Sequence, residues 1–172
     1  KFLADKGNVE CCIKTAQHFE EITEIEQAAH YWGIAAEKEN PLSMYTYGKM
    51  CLEGKGLAKN EALGVEYMKK AADAKIPIAI TRYATIINTG AFGVKKDQKA
   101  ALKMFKQSSD MGDADAYHHL GTLYYYGQGT KKDLKKSIQM FEKSVQGNSR
   151  YADDDKNRIP QIQQEIEDSK KK

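Results

Sequence analysis

Over most of the chain large apolar side chains return every three or four residues, with small residues at fixed places between them. One stretch carries Gly64, Met68, Ala71 and Ala72; it returns as Ala101, Phe105, Ser108 and Ser109, and again as Ser137, Phe141, Ser144 and Val145. Steps of four and three put such positions on one helical face. A second marked place precedes each stretch: Tyr47-Gly48, Tyr83-Ala84 and Leu120-Gly121, whose second members lie 36 and 37 residues apart. Self-similarity at this period predicts a repeated supersecondary unit, here a pair of helices.

Six residues beyond each mark stands a glycine, at Gly54, Gly90 and Gly127, followed by a second at Gly56, Gly93 and Gly129. One inserted residue in the middle copy accounts for the spacing of 37. After the first helix the chain must enter left-handed backbone space to reverse, and a Cβ penalises that step. Asn60, Asp97 and Asp133 then stand where a second helix starts, and their side-chain oxygens suit an N-cap. Each unit therefore reads helix, glycine turn, helix, turn. One unit cannot bury its apolar face alone, whereas three or more stacked units can.

Stepping the pattern back by 36 from Met68, Ala71 and Ala72 gives Trp32, Ala35 and Ala36, so residues 1–40 hold a divergent first copy. Its turn is altered, with His18 and Glu20 in place of the two glycines, and its first helix is expected to run longer or bend differently. Residues 76–89 are β-branched enough to read as a strand in isolation, but their register with the neighbouring copies predicts helix. The expected divisions are a divergent repeat at 1–40, repeats at 41–76, 77–113 and 114–149, and a cap at 150–172. After Gly147 the pattern stops, and Asp153-Asp154-Asp155 followed by Ile159, Ile162 and Ile166 predicts a final amphipathic helix with Pro160 near its start. Its apolar positions would cover the last repeat face, with a frayed tail at Lys170 to Lys172.

Composition narrows the function classes. With a mean hydropathy of -0.69 and apolar runs no longer than Ile76 to Ile80 or Ala84 to Ile87, the chain has no membrane span. Lys1 heads no signal-like stretch and the chain opens without Met, as a fragment of a larger protein would. Three cysteines, two of them adjacent at Cys11-Cys12, do not make a disulfide framework, and no glycosylation sequon occurs; both point to a reducing, cytoplasmic compartment. The net charge of +3 is unevenly spread: residues 1–40 carry 4 Lys and 8 acids, net −4, and residues 91–145 carry 10 Lys and 6 acids, net +4.

Candidate chemistry is sparse. His118 and His119 are adjacent, so on a helix they point about 100° apart, and no Cys, Asp or Glu recurs at the spacing of a helical metal site. His119 is expected to pack against a neighbouring helix and His118 to be the better placed for a partner. Cys51 occupies the place of Tyr124 in the third copy, a core position, and reads as an inert buried thiol. Nothing strongly basic beside Cys11-Cys12 would lower a thiol pKa. No nucleophile elbow, Ser-x-x-Lys motif, phosphate loop or zinc signature occurs, so neither catalysis nor a cofactor or metal is expected. Lys95, Lys96 and Lys99, and Lys131, Lys132, Lys135 and Lys136, fall at equivalent places around two second-helix starts and should line up as a ridge. With Arg82, Arg150 and Arg158 scattered and no RNA-binding signature, nucleic acid is a minor alternative as partner.

Gly112-Asp113-Ala114 through Leu120-Gly121, Tyr124, Gly127-Gln128-Gly129, Asp133, Phe141 and Lys143 resemble a Sel-one-like repeat (SLR), a relative of the tetratricopeptide repeat. The resemblance covers residues 41–149 well, 5–40 poorly and the C-terminal tail not at all. Departures are Ala84 for the helix glycine, Thr130 where Val is usual, and Ser108 and Ser144 for alanines. It implies an all-α, right-handed superhelical solenoid whose first helices line a concave surface and whose role is to assemble other proteins. Carried onto this chain, the inward positions are Tyr45, Lys49 and Glu53; Thr81, Thr85 and Asn88; and His118, Thr122, Tyr125 and Tyr126. Tyrosine suits such a groove, offering large area and a hydrogen-bonding tip at little entropic cost. Cysteine-rich secreted relatives linked to β-lactam binding or hydrolysis staple each hairpin with paired cysteines, which this chain lacks. The function expected is a non-enzymatic scaffold or adaptor holding a protein or peptide segment in the groove. The alternatives are nucleic-acid or acidic-ligand binding through the lysine ridge, or a regulatory module of a larger enzyme.

Overall fold

A computed structural model describes residues 8–171. The start of the first copy and the end of the lysine tail, Lys172, lie outside the described residues. Among them are α1 (Val9–Glu21), α2 (Ile25–Glu37), α3 (Pro41–Glu53), α4 (Glu61–Asp73), α5 (Pro77–Thr89), α6 (Gln98–Asp110), α7 (Ala114–Tyr126), α8 (Leu134–Gln146) and α9 (Ala152–Lys170), and no strand. The β-branched run in α5 is helical, as its register requires: Ile80 and Ala84, four residues apart on one face, are both buried. The chain divides into two compact units, Lys1–Ala79 and Ile80–Lys172, with the division inside α5.

The helices start and stop where the side chains dictate. Asn60, Asp97 and Asp133 each accept from the amide three residues on, Leu63, Ala100 and Lys136, at 2.9 to 3.0 Å. Gly54 and Gly127 close α3 and α7 at φ 69° in left-handed space. At Gly129 the turn also touches a neighbour: a Cβ there would stand 2.3 Å from the Gln98 carbonyl oxygen. In the middle copy the inserted residue turns Ala91–Gly93 into a short 3-10 turn, η1, with Phe92 at φ 55°.

In the first unit α1–α2, α2–α3 and α3–α4 pack in sequence. Its core joins Cys12, Ala16, Ala28, Ala29, Tyr31, Trp32, Ala35 and Met50, with Phe19 stacked on Tyr31 at 5.8 Å. The first helix of the divergent copy is not longer than the others, at 13 residues, but is displaced: a 36-residue step back from Glu53 would end it at 17, yet it ends at Glu21 and leaves three residues before α2. With no glycine pair there, Thr23 supplies the left-handed residue at φ 62°.

In the second unit α6–α7, α7–α8 and α8–α9 pack in sequence around Ala84, Ala101, Phe105, Leu120, Leu123 and Tyr124. Gly121 lets α8 approach α7 closely, since a Cβ there would meet the Phe141 ring at 2.6 Å, and Ser137 Oγ donates to the Gly121 carbonyl at 2.8 Å. Two expectations for the C-terminus change. Pro160 is the ninth residue of α9, well inside it, and exposed. The closing turn of the last copy also reaches two residues past Gly147. The turn that ends each second helix is closed by the same amide bond in every copy: Asn40 to Ala35, Ile76 to Ala71, Asp113 to Ser108, and Ser149 to Ser144. A left-handed residue precedes each at Glu39, Lys75, Gly112 and Asn148. α9 therefore stands where a further first helix belongs, extended to Lys170 because no glycine turn ends it.

Candidate functional site

The expected groove residues fall into both units. In the first, Tyr45 is half-buried while Lys49 and Glu53 are exposed on α3. In the second, Thr81 is not available to a partner: it is 3% exposed, with its Oγ1 bonded to Ser108 Oγ at 2.8 Å and to Asp113 Oδ2 at 2.5 Å. Asp113 caps α7, so the buried hydroxyl is spent on the helix start and the expectation for Thr81 is corrected. Thr85 and Thr122 are half-buried and turn their hydroxyls back to the carbonyls of Thr81 and His118. Asn88 is half-buried, and its Oδ1 is buried without a partner.

The face of α7 is engaged by α9, which sequence reasoning treated only as an apolar cover. His118 Nδ1 lies 2.7 Å from Oδ1 of Asp155, a carboxylate with no exposure, and the Tyr151 ring stacks on the imidazole at 4.0 Å. Asp155 sits in the first turn of α9, where the helix dipole favours an acid. Further along, the Tyr125 hydroxyl donates to Glu165 Oε2 at 3.0 Å while Lys132 Nζ approaches Oε1 at 2.8 Å. The Lys132 and Tyr125 hydrogen bonds hold the Glu165 carboxyl below its usual range, and the Glu165 acceptor pushes the Tyr125 phenol up. His118 is thus a ligand of the chain's own helix, which corrects its expected availability to a partner. The signal was present as Asp155, Arg158, Ile162 and Glu165, spaced three, four and three along one helical face.

His119 packs as expected, stacked on Phe105 at 4.8 Å; burial first, and then the neighbouring His118, bring its imidazole down to about 4. The Asp115 carboxyl is pushed up by burial, but hydrogen bonds from Ser149 and from the Arg150 amide and guanidinium outweigh this and hold it low. Cys51 is fully buried and burial raises its thiol pKa. Cys12 is fully buried and Cys11 half-buried. Among the described residues no three His, Cys, Asp or Glu side chains converge to hold a metal, and no helix is long and apolar enough to cross a membrane.

Two surfaces of the second unit remain open. Tyr126, 61% exposed, stands edge-on to Tyr125 at 4.8 Å on the last turn of α7. Together with Arg158, Gln161 and Ile162 of α9 these tyrosines line a cleft of about 220 Å³. The lysines of the expected ridge are all exposed. Lys96 and Lys99 flank a shallow depression of about 450 Å³ that also reaches Gly129, whose turn rests on the start of α6. Lys132 and Lys136 have acidic partners in Glu165 and Asp133, whereas Lys95, Lys96, Lys99, Lys131 and Lys135 have none among the described residues.

The paired helices with their glycine turns find a match in the Sel1 repeat, whose family model covers residues 23–40, 41–75, 77–113 and 114–149. The chain belongs to the Sel1 repeat family. In the divergent copy the Sel1 match spans α2 and not α1. An uncharacterized protein of Neisseria meningitidis serogroup B is 26% identical over 59% of this chain and 28% of its own length. The crystal structure of a Sel1 repeat protein from Oxalobacter formigenes is similar at a TM-score of 0.78 and 25% identity, over 85% of this chain and 61% of that one. A protective antigen of uropathogenic Escherichia coli displaying an SLR fold gives a TM-score of 0.76 at 21% identity, over 87% and 32%. Cysteine rich protein B of Helicobacter pylori gives 0.54 at 23%, over 75% and 92%. The chain thus spans less than two thirds of the Neisseria and Oxalobacter proteins. Its fold is the all-helical Sel1 repeat fold, and Sel1 repeat proteins are generally protein-interaction scaffolds, typically non-catalytic.

Proposed function

We propose that this chain is a non-catalytic interaction module that receives a segment of a protein partner on the first-helix side of its second unit, where Tyr126 and the cleft beside it lie. The observation that carries the reading is Tyr126 itself: a large aromatic ring left 61% exposed, beside a cleft that the chain's own α9 lines but does not fill. Aromatic rings beside a pocket are the usual energetic centre of protein interfaces. Tyr45, Lys49 and Glu53, with Thr85, Asn88, Thr122 and Tyr125, extend the candidate surface within their respective units. Replacing Tyr126 with Ala should weaken capture of a specific partner by about tenfold or more while leaving the melting temperature unchanged. Unchanged capture would remove this face from the reading.

A second reading has its own observation. Five exposed lysines without acidic partners around the α6 and α8 starts form a site for a polyanion, nucleic acid or an acidic protein. Binding there should weaken steeply with salt and fall on neutralising Lys96 and Lys99, whereas the Tyr126 surface should respond weakly to salt. A titration at two ionic strengths separates the two. A cytoplasmic location goes with the scaffold proposal, and a regulatory module of a larger enzyme is the alternative to it.

A further inference from the structure

Arg158 is the one feature of the Tyr126 cleft that the interaction reading leaves unexplained. Arg158 is half-buried, with its Cζ over the ring of fully buried Phe141 at 5.5 Å, and no carboxylate pairs with it among the described residues. Arginine presents five donors, and a cation–π contact satisfies the charge in part while leaving those donors open. Glu165, two turns further along α9, is already taken by Lys132 and Tyr125. Asp155, one turn back, is turned to His118. Exposed Asp154, one turn back, makes no ion pair with Arg158, and Arg158 faces a cleft whose other walls are Tyr125, Tyr126, Gln161 and Ile162. The unit around it is also basic: residues 80–172 carry 17 Lys and Arg against 12 Asp and Glu, net +5.

We infer that this cleft takes an acidic peptide segment in extended form, with Arg158 holding a carboxylate side chain of the segment and Tyr126 covering the apolar stem or neighbour of that residue. The proposal rests on the interaction reading above and names the chemistry of its partner. Two observations favour a peptide over a small free anion, and the charge favours an acidic one. The cleft is open and lined by an exposed aromatic ring, which a small anion would not use. Gln161, exposed on its rim, offers an amide that can both donate to and accept from a peptide backbone. A single cation with a planar fork suits one carboxylate presented bidentately, and the surrounding positive charge speeds the approach of an acidic chain.

The test is selection of random short peptides displayed against the immobilised protein, followed by fluorescence anisotropy with the best labelled peptide, its Glu-to-Gln and Asp-to-Asn counterpart, and free acetate as competitor. Enrichment of Asp and Glu is expected. R158Q should weaken the selected peptide by about tenfold, R158K by less, and Y126S by a similar factor, with an unchanged melt for Y126S and a melt lowered for R158Q only by loss of its contact with the Phe141 ring. The amide counterpart should lose as much as R158Q costs, and R158Q should not lose further with it, because the two changes remove one contact. Acetate should fail to displace the peptide at concentrations where the unlabelled peptide does. Selected peptides without acidic bias, or equal affinity for R158Q, would overturn the acidic cleft and leave the interaction module standing. Displacement by acetate alone would overturn the peptide as occupant. A selection that enriches nothing overturns the inference too, while the module itself is tested independently by capture of folded partners with Y126A.

Discussion

Gly129 and Gly93 occupy the same place in successive copies, at φ 68° and 73°, yet their surroundings differ. A Cβ at Gly129 would stand 2.3 Å from the Gln98 carbonyl oxygen and 2.6 Å from its carbon, whereas at Gly93 nothing lies within 4 Å. Both substitutions meet the left-handed penalty of about 1 kcal/mol, but only G129A must also displace backbone. G129A should therefore cost about 3 kcal/mol and G93A about 1 kcal/mol in urea denaturation; equal losses would contradict the close approach. His119 gives a pH signature. Burial and His118 keep its imidazole at about 4 in the folded chain, against 6.5 for the free side chain. Between those values the unfolded chain takes up a proton that the folded chain refuses, so this contribution is complete above pH 6.5 and lost as pH falls to about 4. The loss is about 3 kcal/mol, and H119F should flatten the stability profile in that window relative to the parent. A parallel decline in H119F would assign the slope to other groups. At this scale the caps and turn glycines were legible, because Asn60, Asp97, Asp133, Gly54 and Gly127 act through their own backbone. Thr81 and His118 were not, since their partners Asp113 and Asp155 lie 32 and 37 residues away.

Among the elements, α9 is the one the pattern understated. The turn before it repeats the closing bond of every earlier copy, Ser149 to Ser144 standing for Asp113 to Ser108, so it follows that turn as a further first helix would. It then departs from the repeat by running through Pro160 to Lys170. A proline in the ninth position removes the bond to the Lys156 carbonyl and crowds it, on a face exposed to solvent. P160A should therefore stabilise the second unit by about 1–2 kcal/mol and increase helix content. A destabilised P160A would show that the proline shapes the packing of Ile162, which is 2% exposed. Helix existence was legible throughout, including α5, because register with the neighbouring copies outweighs β-branched composition. The role of α9 was not, since its apolar residues describe a cover while Asp155, Arg158 and Glu165 determine what it contacts.

For the whole chain, the charge division matters more than the total of +3. The 79 residues of the first unit carry 10 Lys and 12 acids, net −2, and the second unit is net +5. A partner that meets the second unit is therefore attracted if acidic, whether it uses the Tyr126 cleft or the lysine ridge. The repeat architecture was readable because a period of 36 to 37 recurs in the residues themselves. The binding face was only partly readable, because the resemblance supplies inward positions on each first helix and says nothing of a helix that follows the last match. The most direct test places a photocrosslinking side chain at Tyr126, and separately at Lys103 on the exposed face of α6, in otherwise identical protein. A discrete adduct is expected from position 126, suppressed by the Arg158-dependent acidic peptides, and none from position 103. Adducts of the same partner at both positions, or at 103 alone, would contradict it.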